Sequence, residues 1–290
     1  MSLKQLIRRS PGLRRALALP LAARRSLLSR RNQPLLDFLQ RFETQVIDDV
    51  HVRVDEFEGD FVFGPRSHLL HRWLLFGKYE PELAGLFRSL ITPGRDVIDV
   101  GANIGFFSVL GARHVGSGRV LAAEPTSSAF RRLAHNVAAN GVADRVILYQ
   151  GLVSAAESTT DINIVEGREE YSSIGVMEHP AIAGQPLTSE RVQARPLDAL
   201  VHDHGLHPSV MKVDVEGAEM MVFQGAQEVF RKHRPTVISE LTPSLLERNG
   251  TSPAEIVAMF DRLNYDVKDP FDPRIRPGDV EFGDILAVPR

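Results

Sequence analysis

The chain has 290 residues, of which 43% are hydrophobic and 24% charged, and it contains no cysteine. These values are typical of globular proteins and exclude a disordered chain, a collagen and, since no apolar run approaches about 20 residues, an integral membrane protein. The absence of cysteine also excludes a disulfide scaffold, a thiolate zinc site and a cysteine nucleophile.

The net charge of -3 conceals an uneven distribution. Residues 1–36 hold nine of the 34 lysines and arginines and no acid, which leaves 25 basic against 37 acidic residues in the remainder. An acidic body argues against nucleic acid as a partner, because affinity for nucleic acid comes largely from cationic contacts to phosphate.

The first segment, residues 1–45, is predicted to be a basic N-terminal arm. Leucines at three- and four-residue steps favour one or two short helices, interrupted at Pro11 and Pro20, with arginines sharing one side. Such a stretch suits an interfacial helix on anionic lipid, a targeting presequence or a solvated arm. We expect a cytoplasmic protein, with peripheral contact to the inner face of the membrane through residues 1–31 as one alternative. The oligomeric state stays open.

The second segment, residues 46–94, is predicted to be a hairpin and helical extension. A short helix is expected at 34–44 just before it, and alternating apolar residues at 46–63 favour a hairpin that turns near Gly59. Residues 67–90 have a helical pattern broken near Gly77 and Pro81.

The third segment, residues 95–290, alternates apolar runs of strand length with helical patterns, which indicates βαβ units and a parallel sheet. Residues 156–190 are polar and are expected to be an excursion with some short strands. Strands are predicted at 96–100, 119–124, 145–150, 210–215, 235–241, 265–268 and 284–288, and helices at 105–114, 127–140, 197–205, 218–232 and 252–263.

A glycine turn follows the first of these strands, in the sequence Asp99-Val-Gly101-Ala-Asn103-Ile-Gly105. A strand, a glycine turn and a helix in this order place backbone amides at a ligand. In the dinucleotide pattern G-x-G-x-x-G the second and third glycines are replaced by Asn103 and Phe106. Because the second glycine lets the backbone approach a pyrophosphate, its loss argues against NAD and FAD.

Glu124 ends the next strand, 23 residues after Gly101. An acid there is placed to accept hydrogen bonds from both ribose hydroxyls of a nucleoside. An adenosine without phosphates suggests S-adenosyl-L-methionine as the cofactor. The plain alternative is a tight turn followed by a solvated glutamate.

A second group of acids lies in Lys212-Val-Asp214-Val-Glu216-Gly-Ala-Glu219, at the expected carboxyl end of a sheet strand. Asp214 and Glu216 are candidates for a general base or, through their oxygens, for a Mg²⁺ site. Glu216 and Glu219 equally suit helix capping. The histidines at 202, 204 and 207 lack the spacing of a metal site.

These motifs resemble the FkbM family of S-adenosylmethionine-dependent methyltransferases. The resemblance covers roughly residues 75–290 and is carried by DVIDVGANIGFFSVLGA, VLAAEPTSSAFRRLAHNVAANG, MKVDVEGAEMMVFQGA and PTVISEL. It implies a class I methyltransferase: a Rossmann-like seven-stranded sheet, mostly parallel with the last strand antiparallel and helices on both faces. It also implies O-methylation of sugars, glycolipids or polyketides.

The resemblance assigns roles to individual residues. It implies that the cofactor is held by Asp99, Gly101, Asn103, Gly105 and Glu124. Asp214 and Glu216 match the family's D-V-E-G acids, and Tyr79-Glu80-Pro81 resembles its Y-E-P element. The first 45 residues match nothing in the family.

We therefore expect an O-methyltransferase that acts on a hydroxyl of a carbohydrate or glycolipid. A sugar hydroxyl is a poor acid and requires a base, for which Asp214 is the first candidate, Glu216 the second and Glu240 the third. Contacts to substrate are expected from Tyr79, Glu80, Tyr171 and Ser172. The alternatives are a peptide, lipid or polyketide acceptor, or a noncatalytic membrane-tethered module that retains the cofactor pocket.

Overall fold

The structure is a computed structural model that describes residues 49–64, 66–165, 172–174, 187–272, 274–275 and 283–290. The arm at 1–45, the expected helix at 34–44 and Tyr171 lie outside these residues and stay predictions. In the described part, no helix is both long enough and apolar enough to cross a bilayer.

A seven-stranded sheet forms the centre of the molecule and confirms the predicted fold. Its strand order is β12-β13-β11-β10-β3-β4-β5. Strand β13 is antiparallel to both of its neighbours, and the other strands of this sheet pair in parallel. The bounds are β3 Asp96–Val100, β4 Val120–Ala123, β5 Val146–Tyr149, β10 Pro208–Val213, β11 Thr236–Leu241, β12 Tyr265–Lys268 and β13 Gly283–Pro289.

Helices cover both faces of this sheet, which is why every residue of its central strands β3 and β4 is buried. One face packs against α1 His68–Phe76, α2 Pro81–Leu90, α3 Phe106–His114 and α4 Ser127–Ala139. The other packs against α5 Leu197–Asp203, α6 Glu219–Gln224, α7 Gln227–Lys232, α8 Pro243–Arg248 and α9 Pro253–Arg262.

The predicted N-terminal hairpin is present as β1 Val50–Val54 and β2 Gly59–Phe63. It packs on the first face, where the Phe57 and Phe106 rings stack with centroids 4.7 Å apart. The buried side chain of Asn136 accepts a hydrogen bond from the Val62 amide (2.8 Å) and donates one to the Ile104 carbonyl (2.8 Å). The hairpin therefore shares one hydrophobic core with the sheet.

The polar stretch at 156–190 contains longer strands than expected. Strands β7 Ser158–Val165 and β9 Leu187–Arg195 pair antiparallel, and with β6 Leu152–Val153 and β8 Ser172–Ile174 they form a second sheet. The sheet has a small hydrophobic cluster of its own, formed by Ile162, Ile164 and Val192 with partly buried Leu152 beside them. A hydrophobic pattern this sparse explains why the composition indicated only short strands.

Two further bounds differ from expectation. The helix predicted at 218–232 is two helices, which meet at Gly225. A Cβ at Gly225 would lie 2.1 Å from the Ser154 carbonyl oxygen, so another part of the backbone occupies the space of a side chain there. The strand predicted at 210–215 ends at Val213, so Asp214 lies in the loop that follows β10.

Candidate functional site

The glycine turn connects β3 to α3 and lies against the loop that follows β10. Gly101 has a φ of 78°, and a Cβ there would lie 1.9 Å from the carbonyl oxygen of Asp214. Only glycine fits this approach. The Asp214 amide in turn donates to the Val100 carbonyl (3.0 Å). The predicted cofactor turn and the predicted base are therefore in contact through their main-chain atoms.

The turn leaves the start of α3 open to a ligand. Asn103 adopts a left-handed φ of 50°, and Gly105, the N-cap residue, offers no side chain to cap the first amides. Uncapped amides at a helix N-terminus attract electron-rich groups. The amides of Gly101, Asn103 and Gly105 are hydrogen-bonded within the protein, so the groups open to a ligand are the uncapped amides at the start of α3.

Asp99 lies beneath this turn and is 1% exposed. Its Oδ2 accepts a hydrogen bond from Ser108 Oγ (2.6 Å), while Oδ1 is buried and accepts none from the residues that the structure describes. Burial raises the pKa of the Asp99 carboxyl, and the attraction of Lys212 and the Ser108 hydrogen bond oppose that rise. A buried, unsatisfied acceptor beside an open turn fits a ligand that carries a hydrogen-bond donor there.

Glu124 lies at the end of β4, next to the turn, as predicted. Its Oε1 accepts hydrogen bonds from the Thr126 amide (2.9 Å) and Thr126 Oγ1 (2.7 Å), and Oε2 accepts one from the Asn103 amide (3.0 Å). Burial raises its pKa to about 7, although these hydrogen bonds lower it. The carboxylate is 6% exposed, so it is held in place rather than solvated.

The D-V-E-G acids after β10 differ in their environments. The Asp214 side chain is 40% exposed, and its Oδ2 lies 3.1 Å from Lys212 Nζ. Glu216 is exposed, at a left-handed φ of 51°. Glu219 is buried and accepts hydrogen bonds from the amides of Gly217 (3.1 Å) and Val215 (3.3 Å). Glu219 therefore stabilises the loop before α6 through amides that precede the helix.

Strand register places a row of polar side chains across the first face of the sheet. Lys212 of β10 is the register partner of Asp99 on β3 and of Ile238 on β11. Two residues after Ile238, Glu240 is the register partner of Asp284 on β13. Residues two apart on a strand, and register partners on neighbouring strands, share a face. Asp214 follows Lys212 by two residues, at the same end of the sheet.

The segment between α1 and α2 covers this row. Arg72 Nη1 lies 3.4 Å from Glu80 Oε1, and the Arg72 guanidinium lies 4.8 Å from the centre of the Tyr79 ring. Burial raises the pKa of Glu80, Arg72 lowers it and the charge of Asp214 raises it further. Glu240 interacts electrostatically with Arg72 and Tyr79. The structure therefore brings together the predicted residues Tyr79, Glu80, Asp214 and Glu240.

Three residues of this cluster carry no assigned role in the sequence prediction: Arg72, Lys212 and Asp284. Lys212 had a signal, since it is the one charged residue in a strand that is otherwise apolar or small, and such a lysine is seldom buried without a role. Arg72 and Asp284 join the cluster only through the pairing of distant segments.

Two further residues are predicted to contact the substrate. Ser172 begins β8, at the edge of the second sheet, and Tyr171 lies outside the described residues. In the part of the chain that the structure describes, no three His, Asp or Glu side chains are grouped as a metal site. Lys212 already occupies an oxygen of Asp214, which disfavours a cation shared with Glu216.

Comparisons with known proteins find several similar methyltransferases. Methyltransferase sdnD of Sordaria araneosa is 26% identical over 196 residues, which are 59% of this chain and 73% of that protein. A methyltransferase FkbM of Methylobacillus flagellatus has a similar structure at a TM-score of 0.41 and 16% identity; the match covers 90% of this chain and 60% of that one. An O-methyltransferase from Bacillus cereus, solved in complex with SAH, matches at a TM-score of 0.44 and 14% identity, over 88% of this chain and 97% of that one.

A family match covers the site itself. Residues 99–267, more than half of the chain, match the methyltransferase FkbM domain. The matched range begins at Asp99 and includes Glu124, Asp214 and Glu240, four of the residues that the fold brings to one end of the sheet. The chain belongs to the FkbM family of S-adenosylmethionine-dependent methyltransferases.

Proposed function

We propose that this protein transfers the methyl group of S-adenosyl-L-methionine to a hydroxyl oxygen of a carbohydrate or glycolipid. The observation that carries the proposal is the polar row at one end of the sheet: Asp214 follows β10, and Glu240 and Asp284 are register partners on β11 and β13. Ionised carboxylates accept hydrogen bonds, and a polyhydroxylated acceptor supplies several donors.

The cofactor is proposed to lie over the glycine turn. The Asn103 and Gly105 region offers uncapped helix amides, Asp99 Oδ1 offers an unsatisfied acceptor, and Glu124 Oε2 accepts one hydrogen bond and has room for a second. These features suit an adenosine that ends in an amino acid. When bound, the cofactor supplies a methyl group that its positive sulfur makes electrophilic.

Asp214 is proposed as the base that takes the proton of the acceptor hydroxyl. Its side chain is partly exposed, its backbone contacts Gly101, and one of its oxygens is held by Lys212. A carboxylate held in this way does not need to reorganise before it accepts a proton, and positioning of this kind contributes a large share of rate enhancement. Glu240, in the same cluster, is the second candidate.

A labelled-methyl transfer assay over glycan, glycolipid, lipid, peptide and metabolite fractions tests the proposal. We expect label in the glycan or glycolipid fraction with wild-type protein, and far less with Asp214→Asn. The labelled product should keep its methyl group in base, as an ether does, whereas a carboxyl methyl ester would lose it. Label only in peptide, or a base-labile product, would contradict the proposed acceptor.

A further inference from the structure

A pocket of about 320 Å³ lies between α4 and the N-terminal hairpin, and none of the residues that line it is assigned above to the cofactor or the acceptor. We call it the hairpin pocket. On the hairpin side it is lined by His51 and its register partner Val62. On the helix side the lining residues recur at three- and four-residue steps, so they share one face of α4: Ser128, Arg131, Arg132 and His135. Every side chain of this helical face carries a hydrogen-bond donor.

Arg132 is the least exposed basic side chain of the hairpin pocket. It is 17% exposed, and its Nη2 lies 3.0 Å from Oδ1 of Asp49, the one acid among the described residues that line the pocket. A Cβ at Gly64 would lie 3.0 Å from the same nitrogen, so the guanidinium packs against main chain just after β2. The planar group is therefore held in place, and a guanidinium held in this way loses little freedom when it binds an anion.

The other basic side chains of the pocket carry donors that no described residue accepts. Arg131 is exposed, and its Nε donates to the Ser127 carbonyl of its own helix (3.4 Å), but no acid of the described ranges pairs with it. The rings of His51 and His135 stand edge to face with centroids 6.3 Å apart, and neither forms a hydrogen bond within the described part of the chain. Two guanidinium groups, two imidazoles and one hydroxyl thus surround a cavity that contains a single carboxylate.

We propose that the hairpin pocket binds a phosphate monoester. A tetrahedral dianion presents acceptor oxygens in several directions, which matches donors that come from a helix and from a strand facing it. Guanidinium groups also bind phosphate oxygens through paired hydrogen bonds. A carboxylate presents only two oxygens in one plane and would leave more of these donors unused. The volume is typical of small-molecule sites, so the pocket has room for part of the molecule that carries the phosphate.

Calorimetry with the full-length protein, in a buffer without phosphate, tests the proposal apart from methyl transfer. It would compare inorganic phosphate and glycerol 3-phosphate with sodium chloride at the same ionic strength. We expect both phosphates to bind, and more weakly as added salt screens the charges. Arg131→Gln should weaken glycerol 3-phosphate by about 10-fold, the factor of one charged hydrogen bond. The exposed Arg248 of α8 is the matched control, and Arg248→Gln should bind as the wild type does.

Asp49→Asn should have the opposite effect. It removes the one carboxylate of the pocket and releases Arg132 Nη2, so the affinity for glycerol 3-phosphate should rise by about 2- to 5-fold. Asp144 lies outside the pocket, and Asp144→Asn should leave this affinity unchanged. All four variants should bind S-adenosylhomocysteine as the wild type does, because none of these positions belongs to the proposed cofactor site.

Vesicles separate two sources of the same chemistry, a soluble phosphate ester and a lipid headgroup. Phosphatidic acid carries a phosphate monoester, whereas phosphatidylglycerol carries a negative charge without one. If the ligand is a lipid, the protein should co-sediment better with phosphatidylcholine vesicles that contain phosphatidic acid than with phosphatidylglycerol vesicles of equal charge. Arg131→Gln should abolish that difference. Binding of glycerol 3-phosphate with equal sedimentation on both vesicles would assign the pocket to a soluble ester.

Two results overturn the proposal. The first is that neither soluble phosphate binds and both kinds of anionic vesicle sediment the protein equally. The second is that Arg131→Gln and Arg248→Gln weaken phosphate binding equally, or that Asp49→Asn leaves it unchanged. Binding would then follow the overall charge of the protein and not the groups of the hairpin pocket.

Discussion

At the scale of single residues, the environment of a carboxyl group decides its role more than its place in the motif does. Asp99, Glu124 and Glu219 are buried and receive hydrogen bonds, whereas Asp214 is partly exposed beside an ammonium group. The motif spacing predicts that Asp99, Glu124 and Asp214 meet at one end of the sheet. The spacing does not show whether Glu216 or Glu240 is the second candidate base. Glu216 is close to Asp214 in sequence, whereas Glu240 approaches Asp214 only because β10 pairs with β11.

Replacement of Asp214 by asparagine should slow the chemical step. Asn keeps the shape of the side chain but removes the oxygen that takes a proton, so we expect kcat to fall by about 10²- to 10⁴-fold. Affinity for S-adenosylhomocysteine should change little. Steady-state kinetics with the acceptor found in the transfer assay measures kcat, and calorimetry measures the affinity for S-adenosylhomocysteine.

Two controls accompany this variant. Glu216→Gln, at an exposed position, should retain most of the turnover. Activity of the wild-type protein should survive EDTA, since Lys212 already holds one Asp214 oxygen. Near-normal kcat in Asp214→Asn would contradict the assignment of Asp214 as the base and favour Glu240. Loss of activity in EDTA that Mg²⁺ restores would favour a cation bound by both Asp214 and Glu216.

Glu124 should make the stability of the ligand-free protein depend on pH. Its pKa is about 7 in the folded protein against an ordinary 4.5, so the folded state binds more protons than the unfolded state between these values. This contribution to stability is fully present below the lower pKa and is lost as the pH rises through the higher one. The temperature of the unfolding midpoint should therefore be lower at about pH 8 than at about pH 5.5. In Glu124→Gln the difference between these two midpoints should be smaller.

Glu219, whose pKa burial also raises to about 7, should account for part of the remaining pH dependence. The exposed Glu247 supplies the control, since Glu247→Gln should leave the slope of stability against pH as it is in the wild type. Thermal unfolding followed by circular dichroism at both pH values measures these slopes. An identical slope in Glu124→Gln and wild type would show that the carboxyl is ionised throughout this range.

At the scale of elements, sequence periodicity located most strands and helices of the sheet domain, because buried parallel strands are short continuous apolar runs. It was least informative for β7 and β9, whose pairing buries only a few side chains. It also missed the break between α6 and α7. Gly225 stands there against the Ser154 carbonyl, a contact between segments 71 residues apart that no local pattern contains.

Asn136 of α4 should be one of the strongest single links between the hairpin and the sheet domain. Asn136→Ala leaves the Val62 amide and the Ile104 carbonyl buried without this partner, and we expect a loss of about 1–3 kcal/mol in the free energy of unfolding. Urea titration measures the loss. Gln224→Ala, on an exposed face of α6, should be nearly neutral. A neutral Asn136→Ala would mean that water replaces the amide at both positions.

At the scale of the whole molecule, the site that we assign is built from described residues between positions 49 and 290, whereas the nine basic residues before position 37 lie outside the described ranges. The family match begins at residue 99 and does not include this arm. The fold could be predicted from the sequence because its motifs are local. The acceptor could not be named, since the groups that would meet it come from four separate segments.

Deletion of residues 1–32 should leave folding and cofactor binding intact, because these residues lie outside the α/β pattern of the sequence and precede the assigned cofactor residues. It should also reduce binding to vesicles of anionic lipid, to which arginines and leucines in an acid-free stretch are suited. Co-sedimentation at low and high salt compares the two proteins, and vesicles of neutral lipid are the control. Equal binding by the truncated and full-length chains would leave the arm as a solvated segment.

The contact between Gly101 and the Asp214 carbonyl means that the proposed cofactor turn and the loop that carries the proposed base meet through main chain. We therefore expect a ligand that moves the turn on one side to move the loop on the other. Such coupling is reciprocal: whatever factor the cofactor adds to the affinity for the acceptor, the acceptor adds to the affinity for the cofactor.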